Sequence, residues 1–331
     1  MFGAAGGCSR RSASSPPPSS SLPGSPLPSV RSSAPPLAVS NHPLYIDADT
    51  NRTFTTTTGI AVEYHEDIVD DATLLAHVPG DRDVVIVSDW AAARLPSVAS
   101  VEWAQGMVGV AYDATRTPAV HSIAELFQTP LHGRVALPDD MRIALGMALL
   151  ADGVDPSDPA ASSAAQIAMT AQRLVNSVRL GQVSPIVRSD GAAPLDLLLR
   201  GDADAIVVRA SDVVGVADPN VRFVVPDEGG LLLPDVAVML KSAMRPVAAR
   251  AYLDFVSEPD HAAARYRALP VLWPSGPVDD LMRRDSPSVV ADPLRNPPAA
   301  VRARLHRFRF LDPAEETAVR TSFDRVLHAA G

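Results

Sequence analysis

The chain has 331 residues, a net charge of −9, and 20% charged against 47% hydrophobic residues, which suits a globular body of about two ordinary domains and excludes a disordered chain. The acidic balance argues against the basic face that nucleic-acid phosphates require and mildly favours cationic partners, and no apolar run reaches the roughly 18 residues of a membrane-spanning helix. A single cysteine, Cys8, leaves no internal disulfide and no thiolate metal cluster.

MFGAAGGCSRR opens the chain. Small residues ahead of a lone cysteine, followed by a polar tail, resemble the end of a bacterial lipoprotein signal and make Cys8 a candidate lipidated residue. The residues before it carry neither a basic segment nor an apolar stretch of useful length. Residues 9–40, rich in Ser and Pro, read as a solvated tether or simply a disordered N-terminus. On either reading folding begins near Asn41.

From there strands and helices alternate. PLYIDA and GIAVEY (Gly59 to Tyr64) read as short strands, and TNRTFTTTT between them is a poor helix by propensity. DVVIVS (Asp83 to Ser88) has the apolar run of a strand buried on both faces, and GMVGVAYD follows as another. Pro138-Asp139-Asp140 opens a helix, MRIALGMALLADG, that stops at Gly153; a second runs from about Ala160 to Leu180. ADAIVV (Ala203 to Val208) and VRFVVP are strands. FVVPDEGGLLLPDVAV breaks at Gly229-Gly230 and resumes as an apolar run holding one carboxylate, Asp235. Pro246 to Val256 is a helix with proline in its first turn, and Pro259-Asp260 opens the next. This alternation predicts an α/β fold with mainly parallel sheets. His65, His77, His121 and His132 share no helical face, so no metal site is expected; no phosphate loop follows a strand, and no serine sits in a nucleophile elbow. Neither cofactor nor enzymatic activity is expected.

NHPLYIDAD, TGIAVEYHEDIVDD, DVVIVSDWAAARL, GMVGVAYD, SIAELFQTPLHGRVAL, RFVVPDEGGLLLPDVAV and FLDPAEETAVRTSFDRVL occur in that order. Together they make the chain from Asn41 to Leu327 resemble the spermidine/putrescine-type extracellular solute-binding proteins that feed ABC importers. The resemblance implies a two-lobe periplasmic-binding-protein type II α/β fold with an interlobe cleft. Lobe I would comprise residues 41–110 and 232–331, and lobe II residues 111–231. It implies a monomer, lipid-anchored outside the bacterial membrane, that closes on a polyamine or related small cation and delivers it to a membrane permease. Two alternatives stay open: a changed ligand such as an amino acid or other small polar solute, and a non-transporting cell-surface interaction or sensor protein.

A polyamine needs a carboxylate for each ammonium, and aromatic faces for its methylenes. By resemblance Tyr45 and Trp90 match wall positions, Asp235 the central carboxylate and Asp140 the acid of the second lobe. Asp140 also stands where a helix N-cap belongs. Glu66 is a weaker candidate, in an acidic run that equally reads as a solvated face. Arg209 falls where the family has an aromatic: a surface or lobe-bridging arginine, or an anion contact. His42, Ile143, Leu233 and Leu269 replace family Trp, Glu, Trp and Tyr, while Trp103 and Trp273 should pack at the lobe seam. The first lobe is shortened at LPSVASVE, which predicts a shallower or more open site.

Overall fold

A computed structural model describes residues 34–78, 80–127, 131, 134–183, 194–274 and 276–329; Cys8, the Ser/Pro-rich residues as far as 33, and His132 lie outside them. Folding starts earlier than the expected boundary at residue 40. LAVS forms strand β1 (Leu37–Ser40), buried along its whole length. PLYIDA, by contrast, is not a strand. Pro43 cannot donate to a ladder, Leu44 takes φ +58°, and Asp47 accepts from the amides of Asp49 and Thr50 to start helix α1 (Thr50–Thr58).

That helix forms despite its threonines. Phe54 is fully buried, edge-on to Tyr252 at 5.1 Å and Phe255 at 5.3 Å. The hydroxyls of Thr55, Thr56 and Thr58 donate to carbonyls four residues back. Gly59, at φ +72°, ends it. Tertiary packing overrides weak propensity.

Strand β2 (Val62–His65), helix α2 (Asp71–Ala76), β3 (Val84–Ser88) and helix α3 (Asp89–Ala92) follow. GMVGVAYD proves to be the second half of a 17-residue strand, β4 (Ser97–Asp113). After a 3₁₀ turn at Ile123–Phe127 come β5 (Val135–Ala136), α4 (Met141–Ala151), α5 (Ala164–Arg179), α6 (Pro194–Arg200), β6 (Ala205–Arg209), α7 (Ala210–Val213) and β7 (Val221–Val224). Strand β8 (Gly230–Leu240) leads to α8 (Pro246–Ser257), α9 (Pro259–Ala268), α10 (Pro277–Asp285), α11 (Pro287–Val290) and α12 (Ala299–Arg302). The short β9 (Leu305–His306) and the long α13 (Pro313–Ala329) complete the chain.

The described strands form one mixed sheet in the order β2-β1-β3-β8-β4-β6-β5, with β7 also on β4 and β9 on β8. β1 runs parallel to β2 and β3, whereas β8 is antiparallel to both β3 and β4. The two halves of β4 serve different neighbours. Ser97 to Val108 pairs with β8, and Val108 to Asp113 with β6 and β7. Thus β4 and β8 carry the chain between two bodies of structure. The return crossing needs its glycines. Gly229 has φ +114°, and a Cβ on Gly230 would lie 2.3 Å from the carbonyl oxygen of Val108.

Two large apolar cores flank these strands. One gathers β1, β3, Trp103, α8, α9 and Trp273. The other gathers the second half of β4, α4 and α5, together with Leu311, Val319, Phe323 and Val326. A smaller cluster of Ile68, Val85, Val87, Ala91 and Leu95 lies beside the first. This is the two-lobe α/β architecture. The C-terminal helix packs on α4 and α5 and contributes residues to the second core. Trp103 and Trp273 are buried within the first core rather than at a seam, and Trp103 lies beneath the Arg265 guanidinium at 4.2 Å.

Candidate functional site

Strand β3 ends at Ser88, paired with Asp235 of β8. Beyond that point β8 has lost its neighbour on one side, so Pro234 needs no donor there and the Asp235 side chain meets the loop that follows β1. The loop is pinned from three directions. Asn41 donates to the Tyr45 carbonyl at 2.9 Å, the Trp103 indole donates to the same oxygen at 3.1 Å, and Glu66 accepts from the Leu44 amide at 3.0 Å. So held, the Tyr45 hydroxyl donates to Asp235 Oδ2 at 2.7 Å. Glu66 therefore braces the loop from its exposed side and is not brought to the Tyr45–Asp235 pair.

The pair is crowded by other charges. Burial lifts the Asp235 carboxyl to about 7; Asp71 and Asp89 push the same way, while the Tyr45 hydrogen bond and Arg209 oppose. Burial, then Asp235, hold the Tyr45 phenol well above its ordinary range. Asp89, at the start of α3, is also raised by burial, against the pull of Arg307 at 3.8 Å. Asp71, in the first turn of α2, accepts from the Ser88 amide at 3.3 Å through one oxygen. Its other oxygen is buried without a hydrogen-bond partner, and the His42 ring lies 3.8 Å from it.

From the second body come Asp140 and Arg209. Asp140 is the N-cap of α4, accepting from the amides of Arg142 at 2.9 Å and Ile143 at 3.0 Å. Its second oxygen lies 3.6 Å from Arg209, which projects from the end of β6 with half its side-chain surface in water. Partial desolvation by the surrounding protein works against the Arg209 charge, but Asp140, Asp235, Asp212 and Tyr45 outweigh it and hold the guanidinium above its ordinary range. Asp140 is the carboxylate within ion-pair reach of Arg209, and Asp235 acts on it from farther away. Tyr45, Asp140, Arg209 and Asp235 form one electrostatic group.

Trp90 has a different neighbour. The guanidinium of Arg142, a buried residue of α4, lies 3.7 Å from its ring centroid, and that of Arg94 at 5.8 Å. Of the positions where the family residue is missing, Ile143 and Leu269 are both core residues, 3% exposed each. Asp71, Asp89, Arg142 and Glu316 match no site motif in the sequence. The arginine inside the apolar run MRIALGMALL was the signal available for Arg142.

The fold and the residues can be set beside known proteins. A family model described as bacterial extracellular solute-binding protein matches residues 53–296. No curated protein matches. Among solved structures, a putative spermidine/putrescine ABC transporter from Listeria monocytogenes is 18% identical, with TM-score 0.71, over 88% of this chain and 98% of that one. The spermidine/putrescine ABC transporter substrate-binding protein of Streptococcus pneumoniae, solved with calcium and HEPES, gives the same TM-score of 0.71 and 18% identity, over 90% of this chain and 100% of its own. A binding protein from A. tumefaciens R10 in complex with agropinic acid is 19% identical at TM-score 0.63, covering 88% and 98%. These likenesses show the two-lobe fold, and the match over residues 53–296 shows that the chain belongs to the bacterial extracellular solute-binding protein family, whose members are transport receptors outside the cytoplasm rather than enzymes.

Proposed function

We propose that the chain is the receptor of an ABC importer for a small solute carrying both an ammonium group and a carboxylate, and that it works as a monomer handing the solute to a membrane permease. The observation that carries this reading is the position of Arg209, 3.6 Å from Asp140 and acting electrostatically on Tyr45 and Asp235. A ligand ammonium would pair with Asp235, which is held ready by Tyr45. A ligand carboxylate would take the guanidinium in the two-pronged geometry that arginine favours. Each charge leaving water then has an opposite partner. A polyamine would instead set an ammonium against Arg209, and two like charges at about 4 Å cost roughly 4 kcal/mol at an effective dielectric of 20. The structural neighbour solved with agropinic acid holds an acidic ligand, so the reading asks nothing unusual of the fold.

A second reading, polyamine capture, draws support from one feature. Asp71 and Asp89 add their charge to that of Asp235, and one Asp71 oxygen lacks a hydrogen-bond partner. Calorimetric titration of the full chain with spermidine, putrescine, glutamine, arginine and agropinic acid separates the two. The two amino acids, each with an ammonium and a carboxylate, are expected to bind at least about a hundredfold more tightly than the polyamines, a difference near 2.7 kcal/mol. Arg209→Gln should narrow or invert that order. Tight spermidine binding by the unaltered chain would hand the assignment to the second reading.

A further inference from the structure

Trp90 offers the only indole among the described residues that is not fully buried, yet its face is already taken. The Arg142 guanidinium sits 3.7 Å from the ring centroid. Arg142 belongs to α4, whose neighbouring residues Met141, Ile143 and Leu145 build the second core. Trp90 belongs to α3, which packs beside the first. The contact therefore spans the two bodies that β4 and β8 connect.

Arg142 does not stand alone. Both terminal nitrogens donate to the Glu316 carboxylate of α13, one of them at 3.2 Å. Glu316, itself buried, also faces Arg94 at 3.3 Å. Arg94 follows α3, on the Trp90 side, and donates to the Leu311 carbonyl in the second core at 3.2 Å. The sequence Trp90, Arg142, Glu316, Arg94 thus returns to the body it left. Beside it Asp89 approaches Arg307 at 3.8 Å. Burial pulls Arg142 downward, but Glu316 opposes that pull and keeps the charge partnered.

We propose that Arg142 is a built-in latch. It is a cation carried by the protein that occupies the Trp90 face and, with Glu316 and Arg94, holds the two lobes together when no ligand bridges them. A cation stacked on indole out of water is among the stronger contacts of its kind, and the planar guanidinium stacks and pairs in two directions at once. An unliganded receptor so fastened rests towards the closed form. Trp90 then serves closure rather than contacting solute, and the solute meets Tyr45, Asp235 and Arg209. The inference rests on the two-lobe fold and not on the identity of the solute, so its test uses no ligand.

The test compares the unliganded full chain with Arg142→Met, which keeps the aliphatic stem and removes the charge. Small-angle scattering reads lobe separation. Acrylamide quenching reads Trp90, because Trp103 and Trp273 are fully buried. Loss of the stack is expected to raise the open-to-closed ratio about tenfold, seen as a larger radius of gyration and a clear rise in quenching. A cooperatively folded variant with scattering and quenching identical to the parent overturns the latch. Should Arg142→Met fail to fold, Trp90→Leu leaves the Arg142–Glu316 pair intact. In that variant an enlarged radius supports the proposal and an unchanged one refutes it.

Discussion

Asp235 stands where β3 runs out, with Tyr45 donating to it at 2.7 Å. Its carboxyl titrates near 7 in the folded chain, chiefly through burial, and near 3.9 when unfolded. Between those values the native state holds a proton that the unfolded state has released. Stability must therefore fall as pH rises through that window, with no penalty below about 4 and the full penalty above about 7. Asp235→Asn lacks the group, so the difference in unfolding free energy between parent and variant should change by about 4 kcal/mol across the window. Chemical denaturation at pH 4, 5.5, 7 and 8 measures it, and a difference that stays flat with pH removes the argument. A ligand ammonium beside Asp235 should lower its titration, so cation binding is expected to strengthen as pH rises through 7. From sequence, the aspartate was conspicuous as the lone charge in an apolar run. Its tyrosine partner lies 190 residues away, a distance no local pattern spans, and only family resemblance named both.

At the scale of elements, the strongest periodic signals were legible and the weak ones misled. MRIALGMALLADG announced α4 by its apolar spacing, by Asp140 at the cap and by Gly153 beyond its end; the structure starts the helix at Met141. PLYIDA had strand composition but contained Pro43 and a turn, and the real strand was the unremarked LAVS. TNRTFTTTT had poor propensity and became helical because Phe54 found an aromatic pocket. Asp140 shows how an element can blur a site. Its carboxylate caps α4 and faces Arg209 at once. Substitution separates the two. Asp140→Asn caps nearly as well and should cost only a few tenths of a kcal/mol, whereas Asp140→Ala should cost about 1 kcal/mol. Both remove the charge facing Arg209, so ligand affinity should change alike in the two. If urea denaturation finds Asn and Ala equally destabilising, the cap is not what Asp140 supplies.

Across the whole molecule, the two bodies share the chain unequally. Residues 111–231 hold α4, α5, α6, β6 and β7, yet their core is completed by Leu311, Val319, Phe323 and Val326 from the C-terminal end. In sequence order FLDPAEETAVRTSFDRVL follows the return crossing and so reads as part of the first lobe. Removing a buried Phe from a core costs about 3–5 kcal/mol, and α13 supplies several such residues at once. It also supplies Glu316, without which the buried Arg142 charge loses its partner; breaking a buried pair that way costs a further 3–5 kcal/mol or so. Together these exceed the roughly 5–15 kcal/mol by which a domain is usually stable, or leave little of it. A fragment of residues 111–231 should therefore remain unfolded by circular dichroism and amide dispersion. Adding a peptide of residues 305–329 should restore cooperative melting, and Phe323→Ala in that peptide should abolish the rescue. A fragment that folds on its own would show that the C-terminal helix merely covers this core, and the lobe boundary at residue 231 would stand.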